Sequence, residues 1–398
     1  MQVTIEPGRL SGCIPRLPSS KSHVHRLLIA AALSKDATRI YYHRDNADIS
    51  ATAQCLKSCG VRVEKREECF QMRGPMQVPA GEMDCGESGS TLRFLLPLCA
   101  CLEGTSRLIG RGRLPARPNG PLLSALREHG TVIAGDYLPL SVGGGLRAGT
   151  FALPGDVSSQ YFTGLLFALP LLCGDSELVY TSPLESKPYV ELTLSVLRQF
   201  GIAVEETGSG WRVPGKQAYA SPGEVYAEAD WSAAAFWLAA DALGSAVAVS
   251  GLNGASCQGD KAVENLLRQI GGEIDVSQTP DLMPILSAAA AASPGKTTRI
   301  TGAARLRLKE SDRLTAMAEA IRALGGYAEE LADGLSVHGT ALKGGTVDGK
   351  NDHRVVMSAA IAATACQGPV TLLGAEAVDK SYPDFWNDFA QMGGRIHA

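Results

Sequence analysis

The chain of 398 residues contains no uninterrupted apolar run of the roughly 18 residues that a membrane-spanning helix needs. Its first residues, MQVTIEPGRLSG, lack the charged leader and apolar core of a signal or transit peptide. The ten cysteines include no pair of CxxC motifs at zinc-site spacing, and several of them lie inside apolar runs. We therefore expect a cytoplasmic protein without membrane partner, disulfides or bound metal.

Several nucleotide and metal motifs are also missing. There is no Walker phosphate loop, no G-x-G-x-x-G after a strand and no H-E-x-x-H zinc motif. The charge is nearly balanced, because 37 Lys and Arg oppose 41 Asp and Glu to give a net charge of −4. Dedicated nucleic-acid binders are usually basic, so we expect no nucleic-acid partner.

What the chain does have is an internal repeat. Six times, a polar helix runs into a glycine that is followed by a strand, at Gly60, Gly130, Gly201, Gly271, Gly325 and Gly393. The spacings between these glycines are 70, 71, 70, 54 and 68 residues. A recurring period of this kind indicates one supersecondary unit that is copied and stacked.

Each copy also contains a second, apolar helix, of which HRLLIAAALS (25–34) is an example. A helix that is apolar on nearly all sides is normally buried, whereas the striped, polar helix belongs on the surface. In several copies the last strand has a hairpin partner, which the fourth and sixth copies lack. The N-terminal strand VTIEP (3–7) is predicted to fill the gap in the sixth copy.

These patterns predict an α/β (α+β) fold with two similar domains of three repeats each. Residues 16–227 are predicted to form the N-terminal domain, and residues 1–15 with 228–398 the C-terminal domain. The chain is predicted to cross between the domains near 15–18 and near 215–229, which is rich in turn-forming residues.

Polar and charged residues recur at two places in the repeat. The first place is the start of the buried helix, with Lys21, Ser22 and Arg26, then 86–90 with Arg93, Ser158–Gln160, Asp281, and 351–354. The second is the loop after the short strand, with Arg117, Ser186–Lys187 and Tyr189, 309–313, and Lys380.

Two readings of these residues stand side by side. Serine is a good helix cap and mixed charge is common on surfaces, so each residue alone is explained without function. However, cations oppose the positive end of a helix dipole, so their repeated placement there favours a bound anion. We expect an interdomain cleft for small substrates with phosphate or carboxylate groups, in which Lys21, Asp281 and Glu310 are candidates for proton transfer.

With these residues the chain resembles the EPSP synthase family of enolpyruvyl transferases. The resemblance covers the whole chain and is carried by PSSKSHVHRLLIAAALS (18–34), CGESGSTLRFL (85–95), LPARPNGPLLSALREHG (114–130), GDVSSQYFTGLL (155–166), ESKPYVELTL (185–194), PDLMP (280–284), LRLKESDRL (306–314), NDHRVVMSAA (351–360) and DKSYPDF (379–385). LKESDR together with NDHR and SKPY is highly specific for the family.

The resemblance implies two domains of three βαβαββ units each, with parallel buried helices in an inside-out α/β barrel and the active site in the cleft. The implied reaction moves the enolpyruvyl group of phosphoenolpyruvate onto the 5-hydroxyl of shikimate 3-phosphate by addition and elimination, and releases phosphate. This is a step of the shikimate pathway to chorismate and the aromatic amino acids. It implies no cofactor and, with small molecules as the only partners, a monomer.

The resemblance also implies roles for individual residues. Phosphoenolpyruvate is expected to be held by Lys21, Gly89, Arg93, Arg117, Gln160, Arg313, Arg354 and Lys380. Shikimate 3-phosphate is expected to be held by Lys21, Ser22, Arg26, Ser158, Ser159, Gln160, Ser186, Tyr189, Asp281 and Lys309. Glu310 is expected to protonate the methylene carbon, while either Asp281 or Lys21 takes the hydroxyl proton.

Two positions depart from the family pattern. Glu87 stands where many relatives have asparagine, and its carboxylate is expected either to repel phosphoenolpyruvate or to pair with an arginine such as Arg117. Arg305 also stands where asparagine is common, and either adds a cation or points away. Gly89 keeps the small residue that leaves room for the inhibitor glyphosate, so sensitivity is expected.

Two alternative functions fit the sequence less well. The sister family acting on UDP-N-acetylglucosamine usually has a cysteine in the loop before the counterpart of Arg117, and 110–117 has none. It also usually has Lys-Asn where this chain has Lys21-Ser22. A non-enzymatic repeat scaffold has no reason to place cations at helix starts.

Overall fold

The computed structural model describes residues 1–397. The chain forms two compact units, which we name the N-terminal unit, Lys21–Glu228, and the C-terminal unit, Met1–Ser20 with Ala229–Ala398. Among the described residues, no helix combines the length and the apolar character needed to cross a bilayer.

Two kinds of helix alternate along the described residues. The apolar helices are α1, α3, α5, α7, α9 and α11, and the polar helices have the even numbers. The bounds are α1 (Lys21–Leu33), α2 (Ala47–Ser58), α3 (Gly89–Ala100), α4 (Gly120–Glu128), α5 (Ser159–Ala168), α6 (Lys187–Gln199), α7 (Trp231–Ala242), α8 (Val263–Leu267), α9 (Met283–Ala291), α10 (Arg313–Ala323), α11 (His353–Ala363) and α12 (Phe385–Gln391).

The strands are short, with two to five residues each. Their bounds are β1 (Gln2–Glu6), β2 (Ser11–Ile14), β3 (Thr38–Tyr41), β4 (Arg62–Arg66), β5 (Cys69–Arg73), β6 (Met83–Asp84), β7 (Thr105–Ile109), β8 (Ile133–Ala134), β9 (Leu140–Gly143), β10 (Thr150–Leu153), β11 (Ser176–Tyr180), β12 (Glu205–Thr207), β13 (Gly210–Val213), β14 (Glu224–Tyr226), β15 (Ala246–Val249), β16 (Glu273–Asp275), β17 (Thr297–Thr301), β18 (Tyr327–Leu331), β19 (Gly334–His338), β20 (Gly345–Asp348), β21 (Val370–Leu373) and β22 (Arg395–His397).

The N-terminal unit contains three four-stranded sheets of one design. Their strand orders are β14-β3-β5-β4, β6-β7-β9-β8 and β10-β11-β13-β12. In each sheet the first two strands are parallel and the rest are antiparallel, as a βαβαββ unit requires. The first copy takes its outer strand, β14, from the end of the unit.

The C-terminal unit repeats this design with two differences, one in the sixth copy and one in the fourth. The fifth copy has the order β16-β17-β19-β18, and the sixth has β20-β21-β1-β22. The N-terminal strand β1 pairs antiparallel with both β21 and β22, so it occupies the place of the missing hairpin strand, as predicted. The fourth copy keeps only a parallel pair, in which β2 lies beside β15.

The two-domain α/β architecture predicted from the sequence is confirmed. The odd-numbered helices are buried along most of their length and contribute to two separate cores, one in each unit. Over residues 1–397 the sheets remain small and separate, and none of them closes into a barrel. The buried helices are covered by strands and by the polar helices, which leaves their starts to carry the polar residues of interest.

The six marker glycines share one backbone conformation. Each follows the end of an even-numbered helix and has a positive φ, between 76° at Gly201 and 104° at Gly271. A residue just past a helix end often adopts this left-handed conformation, in which only glycine avoids a steric penalty. The repeat was therefore visible in the sequence because one turn geometry recurs six times.

Candidate active site

The buried helices of the N-terminal unit differ in how their first turns are capped. Ser88 caps α3 and Ser158 caps α5, because each side chain accepts a backbone N–H of the first turn at 3.2 and 3.3 Å. In contrast, α1 begins directly at Lys21, with Ser22 inside its first turn. The starts of these helices combine free peptide N–H groups with side-chain cations.

Lys21 is held by a carboxylate from the neighbouring helix. Its Nζ lies 2.9 Å from Oδ2 of Asp48 in the first turn of α2, and both side chains are partly buried. The ion pair fixes the direction of the lysine side chain. The sequence pattern indicates Lys21 as a site residue but gives no sign of its partner, Asp48.

Arg93 and Gln160 form one hydrogen-bonded cluster. Arg93 donates from Nη1 to Gln160 Oε1 at 2.7 Å and from Nε to Asn119 Oδ1 at 2.9 Å. Gln160 in turn donates from Nε2 to Ser90 Oγ at 2.9 Å. The cluster joins the starts of α3 and α5, so the structure brings these two predicted ligand-binding residues together.

Arg26 is buried beneath the helix starts. It donates to the Ser22 carbonyl at 2.6 Å, to the Tyr189 carbonyl at 2.8 Å and to Thr193 Oγ1 at 2.8 Å. Its guanidinium also lies 5.2 Å from the ring centroid of Phe94, within cation–π range. Arg26 thus connects Ser22 and Tyr189, which the sequence assigned with it to one substrate.

Gly89 lies directly against the Arg117 guanidinium. A Cβ placed on Gly89 would lie 2.9 Å from Nη1 and 3.0 Å from Nη2 of Arg117. The absence of a side chain at Gly89 therefore sets the position of the arginine, which is itself buried. The two residues were assigned to phosphoenolpyruvate from different segments, and the structure places them in contact.

Ser186 and Ser159 are both buried near helix starts. Ser186 precedes α6 with φ at 55°, which is unusual for a residue other than glycine. Its side chain makes no capping hydrogen bond, so helix capping does not explain the serine. Non-glycine residues in strained conformations are concentrated at functional sites.

Arg313 is the centre of the corresponding cluster in the C-terminal unit. Its Nε, Nη1 and Nη2 donate to carboxylate oxygens of Asp352, Asp281 and Glu310, each at 2.9 Å. The arginine side chain is only 1% exposed. A buried cation needs such compensation, and the geometry fixes the two predicted proton-transfer carboxylates on one rigid fork.

Asp281 is shared between two arginines. Arg354 donates from Nη2 to Asp281 Oδ2 at 3.0 Å, while Arg313 occupies Oδ1. Burial acts to raise the pKa of this carboxyl, but Arg354, Lys309 and Arg313 outweigh it and hold the pKa well below the ordinary 3.8. Asp281 is therefore ionised at neutral pH.

Lys380 lies near the start of α11. Its Nζ donates to the carbonyl of Asn351 at 2.8 Å, just before the Asp352 cap of that helix. Lys309 follows a 3-10 turn and interacts electrostatically with Asp281. The C-terminal unit thus groups all of its predicted site residues, namely Asp281, Lys309, Glu310, Arg313, Arg354 and Lys380, around the turns before α9, α10 and α12 and the start of α11.

The two departures from the family pattern have definite places. The Glu87 carboxyl carbon lies close to Gly112, because a Cβ on that glycine would be 2.5 Å from it. Arg305 donates from Nη2 to the Ser277 carbonyl. Whether Glu87 weakens ligand binding stays a prediction.

Four residues of these clusters were not assigned to the site from the sequence: Asp48, Asn119, Asp260 and Asp352. Asp352 had been noted only as part of the polar group at a helix start. Burial raises the pKa of Asp260 to about 7, the charge of Asp281 adds to this effect, and Ser232 donates to its Oδ2. Nothing in the local sequence marks Asp48 or Asn119 as partners of a cation.

The chain is similar to known proteins over nearly its whole length. The model of the family described as EPSP synthase (3-phosphoshikimate 1-carboxyvinyltransferase) matches residues 5–279 and 272–389. A 3-phosphoshikimate 1-carboxyvinyltransferase of Clostridium kluyveri is 41% identical, with 99% of this chain and 98% of the relative covered. One from Halobacterium salinarum is 40% identical, with 99% of each chain covered.

A solved structure gives the same result for the fold. The EPSP synthase of Acinetobacter baumannii superposes with a TM-score of 0.83 at 26% sequence identity, and all of both chains is covered.

Proposed function

The chain belongs to the EPSP synthase family, and on that premise we propose that the residues around Arg93 and those around Arg313 bind its substrates and catalyse its reaction. The chain transfers the enolpyruvyl group of phosphoenolpyruvate to the 5-hydroxyl of shikimate 3-phosphate, with release of phosphate. What we propose is which residues do this.

In the N-terminal unit, Lys21, Gly89, Arg93, Arg117 and Gln160 contact phosphoenolpyruvate. Ser22, Arg26, Ser158, Ser159, Ser186 and Tyr189 hold shikimate 3-phosphate, together with Lys21 and Gln160. The support is chemical, because helix starts and guanidinium groups both favour phosphate and carboxylate. The hydrogen bond of 2.7 Å between Arg93 and Gln160 supports a site in which both substrates touch one cluster.

In the C-terminal unit, Arg313, Arg354 and Lys380 add cations for phosphoenolpyruvate, and Asp281 and Lys309 contact shikimate 3-phosphate. The observation that carries the proposal is the fork of Arg313, which holds Asp281 and Glu310 at 2.9 Å each. Arg313 thereby holds the proposed acid, Glu310, and a proposed base, Asp281, on one guanidinium group.

The reaction needs two proton transfers that our residue assignments supply. In the addition step, Glu310 protonates the methylene carbon while Asp281 or Lys21 accepts the proton of the attacking hydroxyl. The new C–O bond gives a tetrahedral intermediate. In the elimination step, the ionised Glu310 takes a proton from the methyl group while the C–O bond to phosphate breaks, so that phosphate leaves with the bonding electrons and the double bond is restored.

The low pKa of Asp281 fits this sequence of events. An aspartate held ionised by Arg354, Lys309 and Arg313 is a weak base until those cations are neutralised. Phosphoenolpyruvate brings several negative charges to two of the same cations, so its binding raises the pKa of Asp281. In this proposal Asp281 becomes a more effective base when phosphoenolpyruvate is bound.

We further propose that the two compact units are the two domains of the family, that the enzyme acts as a monomer in the cytoplasm, and that catalysis needs no metal or organic cofactor. Gly89 leaves room for glyphosate in this proposal. The close contact of Gly89 with the Arg117 guanidinium supports that assignment, because any side chain at position 89 would displace the arginine.

A phosphate-release assay with both substrates, run with and without EDTA, tests the function. We expect release only when both are present and no effect of EDTA. Equilibrium dialysis with shikimate 3-phosphate separates the enzyme from a non-enzymatic scaffold, which would not bind it. No phosphate release together with no binding would overturn the proposal.

A further inference from the structure

Four buried side chains form a continuous chain of hydrogen bonds through the first two repeats. His25 Nδ1 lies 2.7 Å from Thr52 Oγ1, Thr52 Oγ1 lies 2.6 Å from Thr91 Oγ1, and Thr91 Oγ1 donates to Ser88 Oγ at 2.8 Å. The residues come from α1, α2, α3 and the cap of α3. All four are at most 1% exposed.

Counting protons fixes the direction of this chain. A hydroxyl has one proton, and the proton of Thr91 goes to Ser88. Thr52 must therefore donate to Thr91, and His25 must donate from Nδ1 to Thr52. It follows that His25 carries its proton on Nδ1 and a lone pair on Nε2.

The surroundings of His25 keep this arrangement fixed. Burial, together with the charges of Lys21 and Arg26, lowers the pKa of His25 well below 6.5, so the ring stays neutral. Its Nε2 has no hydrogen-bond partner among residues 1–397, so an added proton there would have no acceptor. The ring packs edge-on against Phe94 at 6.4 Å, which limits its rotation.

The chain ends beside residues assigned to phosphoenolpyruvate. Ser88 accepts both the Thr91 N–H and the Thr91 hydroxyl, and it immediately precedes Gly89. Gly89 lies against the Arg117 guanidinium. A change in the angle of the Ser88 cap is therefore transmitted to the first peptide of α3 and to the arginine that rests on it.

We propose that His25, Thr52 and Thr91 are positioning residues that fix the Ser88 cap and, through it, the Gly89–Arg117 contact on the phosphoenolpyruvate side of the site. The proposal rests on the proposed function for the identity of the ligand. The hydrogen bonds themselves are independent of it. If the proposal holds, α2 contributes to ligand affinity through Thr52, although it supplies no residue that contacts substrate.

Thr52→Val tests the proposal, because valine keeps the shape and removes the hydroxyl. We expect the KM for phosphoenolpyruvate to rise about five-fold or more, the scale of one lost hydrogen bond, with the KM for shikimate 3-phosphate within two-fold of wild type. Thr52→Ser restores the hydroxyl and is expected to restore the KM. Adding His25→Phe to Thr52→Val should change the KM for phosphoenolpyruvate little further, because both substitutions break the same series of hydrogen bonds.

Thr38→Val is the matched control. Thr38 is fully buried in the same unit, and its Oγ1 lies 2.7 Å from Ser221 Oγ, so its loss costs a comparable hydrogen bond. A purely structural role for Thr52 predicts equal effects of the two variants on both KM values. That result, or an unchanged KM for phosphoenolpyruvate in Thr52→Val, would overturn the proposal.

A second measurement does not depend on activity. In the ¹⁵N NMR spectrum of histidine-labelled protein, with His25→Phe to assign the signal, we expect His25 to be protonated on Nδ1 alone from pH 6 to 8. Protonation on Nε2 would disprove the direction of the chain whatever the enzyme assay shows. If wild-type protein shows the expected tautomer but no turnover, the proposed function is wrong, while the proposed series of hydrogen bonds from His25 to Ser88 is still supported.

Discussion

Arg313 donates from Nη1 to Asp281 Oδ1 over 2.9 Å, so the arginine assigned to phosphoenolpyruvate also holds a carboxylate assigned to proton transfer. The same guanidinium contacts Glu310 and Asp352. Binding and acid–base chemistry in the C-terminal unit therefore depend on one side chain. This arrangement leads to the first prediction.

Arg313→Lys should lower turnover by about 10²-fold or more and the free energy of unfolding by roughly 3 kcal/mol. A lysine cannot serve three carboxylates in one plane, and a broken buried ion pair leaves charge uncompensated. Steady-state rates and urea denaturation measure the two effects. Arg307→Lys is the control, because Arg307 lies six residues before Arg313 and also pairs with two carboxylates, Asp312 and Glu330, but its side chain is 32% exposed. Equal losses in both variants would contradict the central role of Arg313.

Glu310→Gln should reduce turnover by about 10²-fold or more while the protein remains folded, because glutamine cannot deliver the proton to carbon. The thermal midpoint should change little, since the amide still accepts from Arg313. Glu330→Gln serves as the control, because Glu330 accepts from Arg307 at 3.2 Å in a similar pair. A near-normal rate in Glu310→Gln would refute the assignment.

Lys21→Met should also lower turnover by about 10²-fold or more, because the ammonium group stabilises charge and assists proton transfer. Comparison with Lys65→Met separates this effect from the loss of an ion pair. Lys65 pairs with Asp45 in the same repeat and is half exposed. Single-turnover rates at saturating substrate are the measurement, and equal rates in the two variants would exclude a role for Lys21.

Gly89→Ala should raise the KM for phosphoenolpyruvate and the inhibition constant of glyphosate by about ten-fold or more. The new methyl group would lie 2.9 Å from the Arg117 guanidinium, which must move. Gly120→Ala is the control, since nothing lies within 4 Å of a Cβ at that position. If Gly89→Ala binds both ligands normally, Arg117 does not contact them in the place proposed.

As the pH falls below 6.5, the free energy of unfolding should decrease, and part of this decrease should come from His23. Its Nδ1 accepts the Glu228 N–H at 3.2 Å, and burial lowers its pKa from 6.5 to about 4. The unfolded chain therefore takes up the proton first as the pH falls, which costs about 2 kcal/mol between pH 7 and 5. Denaturation of wild type and His23→Gln at both pH values measures the difference. His338→Gln is the control, because His338 is exposed. If His23→Gln leaves the pH dependence of the unfolding free energy unchanged, His23 is not its source.

The repeat and the cations of the site could be predicted from the sequence because each leaves a local signal. A left-handed turn after a helix demands glycine, and so Gly60 and its five counterparts mark the period. Lys21, Arg93, Arg313 and Arg354 stand out because cations are unfavourable at helix starts without an anion. The filling of the sixth sheet by β1 also followed from counting strands.

The groups that hold these cations could not be predicted in the same way. Asp48 lies 27 residues from Lys21, and Asn119 lies 26 residues from Arg93. At such separations the contact depends on how two helices pack, which local propensity does not encode. The hydroxyl chain from His25 to Ser88 was missed for the same reason, because threonine and histidine in an apolar helix have no distinctive spacing.

The sequence alone determined the period, the type of each element and the chemistry available at the helix starts, because these depend on backbone conformation and residue type over a few positions. Only the tertiary structure decided that Arg313 fixes Asp281 and Glu310 together, that Arg117 rests on Gly89 and that His25 donates from Nδ1. The physical reason is that direction, distance and protonation state are set by neighbours brought into contact when the repeats pack.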